Sequence, residues 1–234
     1  MTVAVIAARG GSKRIPRKNI RPFAGVPLIV HPIRTALEAF GRVIVSTDDA
    51  EIAAVAQAAG AEVPFLRPAS LADDHTPVGA AAAHAIEALD LRDDWVCLVY
   101  ATAALLDPAT LKAAQGQLET LPEHVDFLVS VATYPHPVQR ALERAADGCL
   151  RLRDPAQAAV RTQDLPESYY DGGQFAFGRR LAWQRTPAYW SGIVAGSVLD
   201  RWSVVDIDTE EDWRMAERLW AARTISPGTA EADH

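Results

Sequence analysis

Short unbroken apolar runs alternate with longer stretches of helical apolar spacing through the first half of the chain. Residues 3–8 are apolar at every position and are stopped by Arg9 and two glycines, the pattern of a strand buried on both faces. Residues 27–40 (PLIVHPIRTALEAF) carry a helical pattern, which Pro32 should confine to its later part and Gly41 should end. Residues 42–47 (RVIVST) predict the next strand. The helix expected over 48–60 opens with Asp48 and Glu51 at capping-box spacing and ends at Gly60. A short strand over 61–66, an alanine-rich helix over 78–90, a central strand over 95–102 (WVCLVYAT) and a helix over 107–121 follow. The last of these opens with an acid before proline, as helix starts often do.

Strands alternating with helices imply βαβ units and an α/β fold with a mainly parallel sheet flanked by helices. After a strand expected at 126–134 the rhythm changes. Residues 135–175 show no long helical period and hold Pro135, Pro137, Pro155 and Pro166, as an insertion of loops and short strands would. Strand character returns at 203–208 (SVVDID), before an amphipathic helix over 209–223. Residues 224–234 are expected to be a disordered tail, leaving one domain over 1–223. Ligands of open parallel sheets gather at the carboxyl ends of the strands. Residues 9–19, 46–49, 100–102 and 206–208 all follow or finish expected strands, so they are expected to share one pocket.

The composition fits a soluble globular protein: 234 residues, 49% hydrophobic and 23% charged. No apolar run reaches bilayer length and no basic segment precedes the first apolar run, so neither a membrane span nor a signal peptide is expected, and the expected location is the cytoplasm. Cys97 and Cys149 make neither a disulfide framework nor a zinc site, and the six histidines show no metal spacing. A net charge of −7 argues against a nucleic-acid binder. That charge is uneven. Residues 1–37 hold Arg9, Lys13, Arg14, Arg17, Lys18, Arg21 and Arg34 and no acid, while the rest of the chain has 16 basic and 30 acidic residues. A solvated helix face mixes signs, so the cluster calls for a local reason.

Two common phosphate motifs are excluded. The opening loop lacks the Gly-Lys-Ser/Thr of a P-loop, and Pro16 interrupts where a dinucleotide fingerprint needs a third glycine. The chemistry still points to phosphate. Gly10 and Gly11 can present bare amides, Ser12 adds a hydroxyl, and Arg9, Lys13 and Lys18 supply full charges. A triphosphate that loses pyrophosphate needs such donors, because negative charge builds on the leaving group. The plain alternative is a basic loop that pairs with the acidic remainder.

The segment IAARGGSKRIPRKNI resembles the nucleotide loop of the CMP-sugar synthetases that activate sialic-acid-like nonulosonic acids. VIVSTDDAEIA, VPFLRPASLADD, VYATAALL, RTQDLPESYYDGGQFAFG and DIDTEEDW resemble further family segments in family order, spanning nearly the whole chain. Within the family, Arg14 and Arg17 make the loop most similar to members that act on pseudaminic acid. The family commonly has proline where this chain has Ala104. The resemblance implies a nucleotide-diphosphosugar-transferase-like fold and a cytidylyltransferase reaction. CTP and the sugar would give a CMP-sugar and pyrophosphate, with Mg2+ as cofactor. It also implies a homodimer, formed through the 135–175 insertion.

By that resemblance, Ala8, Arg9, Gly10, Gly11, Ser12, Lys13, Lys18 and Asn19 would hold the nucleotide, with Arg9, Lys13 and Lys18 on the phosphates. Arg67 would sit near the cytosine, whose O2 and N3 acceptors suit a guanidinium fork. Asp206 and Asp208, two apart on one face of an extended chain, would meet one hard cation. Asp208 would also help deprotonate the attacking hydroxyl, although its spacing to Glu211 equally fits a helix cap. Tyr100, Thr102, Gln163, Asp171 and Gln174 are the sugar-side candidates. Three alternatives stand beside this reading. They are the same reaction on legionaminic or N-acetylneuraminic acid, a nucleotide-binding homologue without turnover, and an interaction module for an acidic partner.

Overall fold

The computed structural model describes residues 2–73, 75–157 and 159–225. Strand β1 (Val3–Ala7) sits deep in the molecule, and its side chains feed two different cores. Ala4 and Ile6 pack on one side of the sheet, Val3 and Val5 on the other. That period-two split explains why the run is apolar without interruption. The short strands β2 (Pro22–Phe23) and β3 (Val26–Pro27) form a hairpin, followed by α1 (Val30–Phe40), β4 (Val43–Ser46), α2 (Ala50–Ala58), α3 (Ala80–Ala88), β5 (Trp95–Tyr100), α4 (Pro108–Gln117) and β6 (Phe127–Thr133). A small hairpin of β7 (Leu142–Arg144) and β8 (Leu150–Leu152) precedes β9 (Tyr169–Arg179), α5 (Arg180–Arg185), β10 (Val194–Leu199) and α6 (Glu210–Ile225).

Six strands form the central sheet in the order β10-β6-β9-β5-β1-β4. β1 runs parallel to β4 and β5, and β6 parallel to β10. β9 is antiparallel to both its neighbours, β5 and β6. The sheet is thus mainly parallel, as the alternation implied, with one reversed strand inserted at its centre. α1, α2 and α4 cover one face through Ile33, Ile52 and Leu111; α3 and α5 cover the other through Ile86 and Trp183. A third cluster joins Ile15 of the opening loop to Phe23, Leu28, Ile207 and Trp213. It fixes that loop against the segment that precedes α6. No helix among the described residues is long and apolar enough to cross a membrane.

Several elements depart from the sequence expectation for identifiable reasons. α1 starts before Pro32, which lies in its first turn where the missing N–H is not needed. Residues 61–66 make only two isolated bridges to the β4 edge. Glu62 uses both its N–H and C=O on β4, and the next residue facing that edge is Pro64, which has no N–H to give. Ser203 ends a 3-10 turn (Arg201–Ser203), and residues 204–208 join no sheet. The 135–175 insertion ends early, because β9 begins at Tyr169. α6 continues to Ile225, so residues 224 and 225 of the expected tail are helical, and 226–234 lie outside the described residues.

Candidate active site

The loop after β1 crosses the carboxyl ends of β1, β4 and β5. It is held from within. The buried Asn19 side chain donates to the Arg9 carbonyl at 3.0 Å, and Ile15 is locked in the third core cluster. Asp48 Oδ1 accepts the Gly10 N–H at 3.0 Å. A Cβ at Gly10 would lie 2.6 Å from Asp49 Oδ2, so only glycine allows this approach.

Both acidic helix starts are capped one residue later than their spacing indicated. Asp49, not Asp48, caps α2: its Oδ1 accepts the amides of Glu51 and Ile52 at 2.9 and 3.0 Å. On α6 the box is formed by Thr209 and Asp212, not by Asp208 and Glu211. Thr209 Oγ1 accepts the Asp212 amide at 3.3 Å, and Asp212 Oδ2 accepts the Thr209 amide at 2.8 Å. Each shift releases the preceding aspartate toward the opening loop. Asp48 meets Gly10 and lies 3.8 Å from the Arg67 guanidinium. Asp208 pairs with Lys18 Nζ at 3.2 Å and with Arg14 at 2.7 Å.

Two cavities of about 240 and 250 Å3 open side by side here and share Ala7 and Arg9. Each alone falls below the roughly 300–1,000 Å3 of ordinary small-molecule sites; joined, they fall within it. The first is lined by Arg9, Ser12, Lys13, Arg14, Lys18 and Asn19 from the loop, Tyr100 and Thr102 from the end of β5, and Asp206 and Asp208. The second is lined by Arg9 and Arg67, with Asp73, Thr76 and the apolar Leu71 and Val78. Cations and carboxylates therefore share the lining of the cleft, with Asp208 paired to Lys18 and Arg14.

Burial sets the electrostatics. Desolvation raises the Asp206 carboxyl, the charge of Asp208 raises it further, and Lys18 and Arg14 oppose both. Desolvation likewise lowers Arg67, with Asp48 opposing and Arg9 adding to the effect. The buried Nε of Arg67 has no partner among the described residues. Lys18 also donates to the Ile207 carbonyl at 2.6 Å, which pins its ammonium between Asp208 and the loop.

The remaining candidates lie elsewhere. Ala8 is buried and its amide donates to the Ser46 carbonyl at 3.0 Å. Gly11 has open space where a side chain would be. Gln163 is exposed on the 3-10 turn Thr162–Asp164 and lines neither cavity. Gln174 is fully buried and donates to the carbonyls of Gly172 (2.8 Å) and Val205 (3.3 Å), tying β9 to the segment that carries Asp206. Asp171 is exposed beyond the cleft and accepts from Tyr189 and Trp190. Arg17 pairs with Asp49 and Glu51 and lines neither cavity, whereas Arg14 does line the first. Ala104 donates its amide to the Thr102 carbonyl at 2.8 Å, a bond that proline cannot make. Sequence reasoning placed residues 46–49 in the pocket but read Asp48 as a helix cap and named no role for it there, and it did not reach Tyr189, which comes from a distant 3-10 turn.

This fold and cleft are those of a nucleotide-handling α/β protein, and the chain belongs to the cytidylyltransferase family, whose model matches residues 3–185. It is 39% identical over 223 residues to the pseudaminic acid cytidylyltransferase of Campylobacter jejuni strain 81-176, covering 93% of this chain and 95% of that one. A CMP-N,N'-diacetyllegionaminic acid synthase of Legionella pneumophila strain Philadelphia 1 is 41% identical over 117 residues, 48% of this chain and 50% of that one. Among solved structures, a CMP:2-keto-3-deoxy-manno-octonic acid synthetase complexed with CTP shares the fold. Its TM-score is 0.69 at 18% identity, covering 95% of this chain and 99% of that one.

Proposed function

We propose that this chain transfers CMP from CTP to pseudaminic acid and releases pyrophosphate. The observation that carries the reading is the pair of adjoining cavities lined by the loop cations, Arg67 and the Asp206 and Asp208 carboxylates, in a chain 39% identical to a pseudaminic acid cytidylyltransferase along nearly its whole length. The sugar's anomeric hydroxyl attacks the α-phosphorus, the bond to the pyrophosphate oxygen breaks, and negative charge grows on the leaving group. Arg9, Lys13 and Lys18 stabilise that charge, with Lys18 already fixed in place by Asp208 and Ile207. Ser12, Asn19 and the backbone of the loop from Ala8 through Gly11 hold the nucleotide, although the Ala8 and Gly10 amides are already committed to Ser46 and Asp48 and donate nothing to it. Arg67 reads the base from the second cavity, and its unpartnered Nε supports that role. Tyr100 and Thr102 face the sugar.

Asp206 and Asp208 fit Mg2+. Mg2+ takes one or two carboxylates and leaves its other positions to water and substrate phosphates. Burial raises the Asp206 carboxyl first and the charge of Asp208 adds to it, and a divalent cation beside the two carboxylates would offset both. When bound, Mg2+ polarises the phosphoryl oxygen. We assign Asp208 the proton of the attacking hydroxyl. The proposal also makes the enzyme a cytoplasmic homodimer, supported by exposed Val138, Leu142 and Leu150 on the insertion.

Pyrophosphate release with CTP, Mg2+ and pseudaminic acid tests the reading by omission. Release is expected only when all three are present, and release without sugar or Mg2+ would contradict it. The 41% match to a legionaminic acid enzyme favours one second reading, the same reaction on that sugar.

A further inference from the structure

Behind the sugar side of the cleft lies a hydrogen-bonded chain with a fixed direction. Asp171 Oδ1 accepts the Gly173 amide at 2.9 Å. Its Oδ2 receives the Tyr189 hydroxyl at 2.9 Å and the Trp190 indole N–H at 3.2 Å. An ionised carboxylate only accepts, so Tyr189 spends its proton on Asp171. The Tyr189 oxygen lies 2.8 Å from the Tyr100 hydroxyl, and with its own proton committed it must accept from Tyr100. Tyr100 is thereby left with lone pairs and no proton to offer. It is also the one member of the chain that lines the cleft.

The backbone is built for this arrangement. A β-bulge interrupts the pairing of β6 and β9 between Val129 and Val131. There Ser130 Oγ accepts the amides of both Gln174 and Phe175 at 3.1 Å. A Cβ at Gly172 would lie 3.0 Å from the Ser130 carbonyl oxygen, so a side chain there would crowd the bulge. Bulges re-aim a neighbouring side chain, and here that side chain is Asp171. The Tyr189 ring is held edge-on to Trp183, which is fully buried.

We propose that Asp171, acting through Tyr189, fixes Tyr100 as a hydrogen-bond acceptor that reads a donor group on the sugar. Resting on the function proposed above, this makes Tyr100 a specificity residue and Tyr189 and Asp171 positioning residues. The ligand feature it selects is an N–H or O–H, not a carbonyl. Burial first, then the nearby charges, push the Tyr100 hydroxyl far above its ordinary range and Tyr189 up to about 12, which keeps both protons in place for the relay.

A double-mutant cycle on pyrophosphate release, with CTP, Mg2+ and pseudaminic acid, tests the relay. Tyr189→Phe and Tyr100→Phe keep the rings and remove the hydroxyls. Each is expected to raise the KM for the sugar about three- to tenfold, with the KM for CTP unchanged. The double variant is expected to be no worse than Tyr100→Phe alone, because Tyr189 acts only through Tyr100. Effects that add, an unchanged sugar KM in Tyr189→Phe, or an equal rise in the KM for CTP would overturn the relay while leaving the enzyme reading intact. No turnover by the wild type would overturn that reading and the relay with it. Should Tyr100→Phe unfold on a thermal melt, Asp171→Ala at its exposed position supplies the second arm. The relay then expects it to match Tyr189→Phe alone and to add nothing to it; any additive loss would overturn it.

Discussion

Arg17 carries a full charge in the middle of the basic loop yet takes no part in the cleft. It sits in the left-handed region at φ 56° and pairs with Asp49 and Glu51 instead. Its value as a mark of pseudaminic-type loops is therefore not that of a sugar contact in this structure; it braces the loop against α2. The Arg17 hydrogen bond holds the Asp49 carboxyl below its ordinary 3.8, against desolvation and with help from the Ile52 amide. A carboxyl depressed in the folded state adds stability that is complete above its unfolded value and is lost as pH falls through the folded one. Asp49→Asn keeps a side chain that caps helices well but loses the charge. The variant is expected to melt below the wild type near about pH 6, with the gap closing toward about pH 3. Parallel melting curves across that range would show that the ion pair contributes nothing. Arg14 differs from Arg17 because it lines the cleft and pairs with Asp208.

At the scale of elements, a one-residue shift in two helix caps supplies two of the site's acids. Thr209→Ala removes one half of the α6 box and is expected to cost about 1 kcal/mol in denaturant unfolding. It should also lower turnover more than that loss of stability would, because Asp208 is then free to swing into the capping position. Normal turnover in the variant would detach the cap from the site. The caps also show where sequence reading stops. β1, β4, β5 and β6 are legible as apolar runs because each is buried on both faces. β9 is not, because Asp171, Gly172, Gly173 and Gln174 serve a bulge and a polar relay that only the partner Ser130 explains. The loop cations were legible from their clustering, although charge did not separate Arg17 from its neighbours, and Arg67 came only from the family resemblance. Asp48 fell in the expected pocket region but matched a cap pattern, and Tyr189 was not legible, since it meets Tyr100 only through tertiary packing.

For the molecule as a whole, the reversed strand β9 joins two parallel units, β4-β1-β5 and β6-β10, into one sheet. The nucleotide loop belongs to the first unit, and Asp171 lies on β9 just before the bulge at the junction. The insertion stands apart, with Leu142 and Leu150 exposed at 56% and 62%. If it joins two copies, Leu142→Asp with Leu150→Asp is expected to turn a dimer into a monomer by light scattering. A wild-type monomer would remove the insertion from that role. The central claim concerns the reaction, and the most direct test is kcat/KM for CMP-sugar formation from CTP and Mg2+ with pseudaminic, legionaminic and N-acetylneuraminic acids in turn, the product identified by mass. CMP-pseudaminic acid is expected at a kcat/KM at least about tenfold above the others. Formation of no CMP-sugar from any of the three would contradict the account.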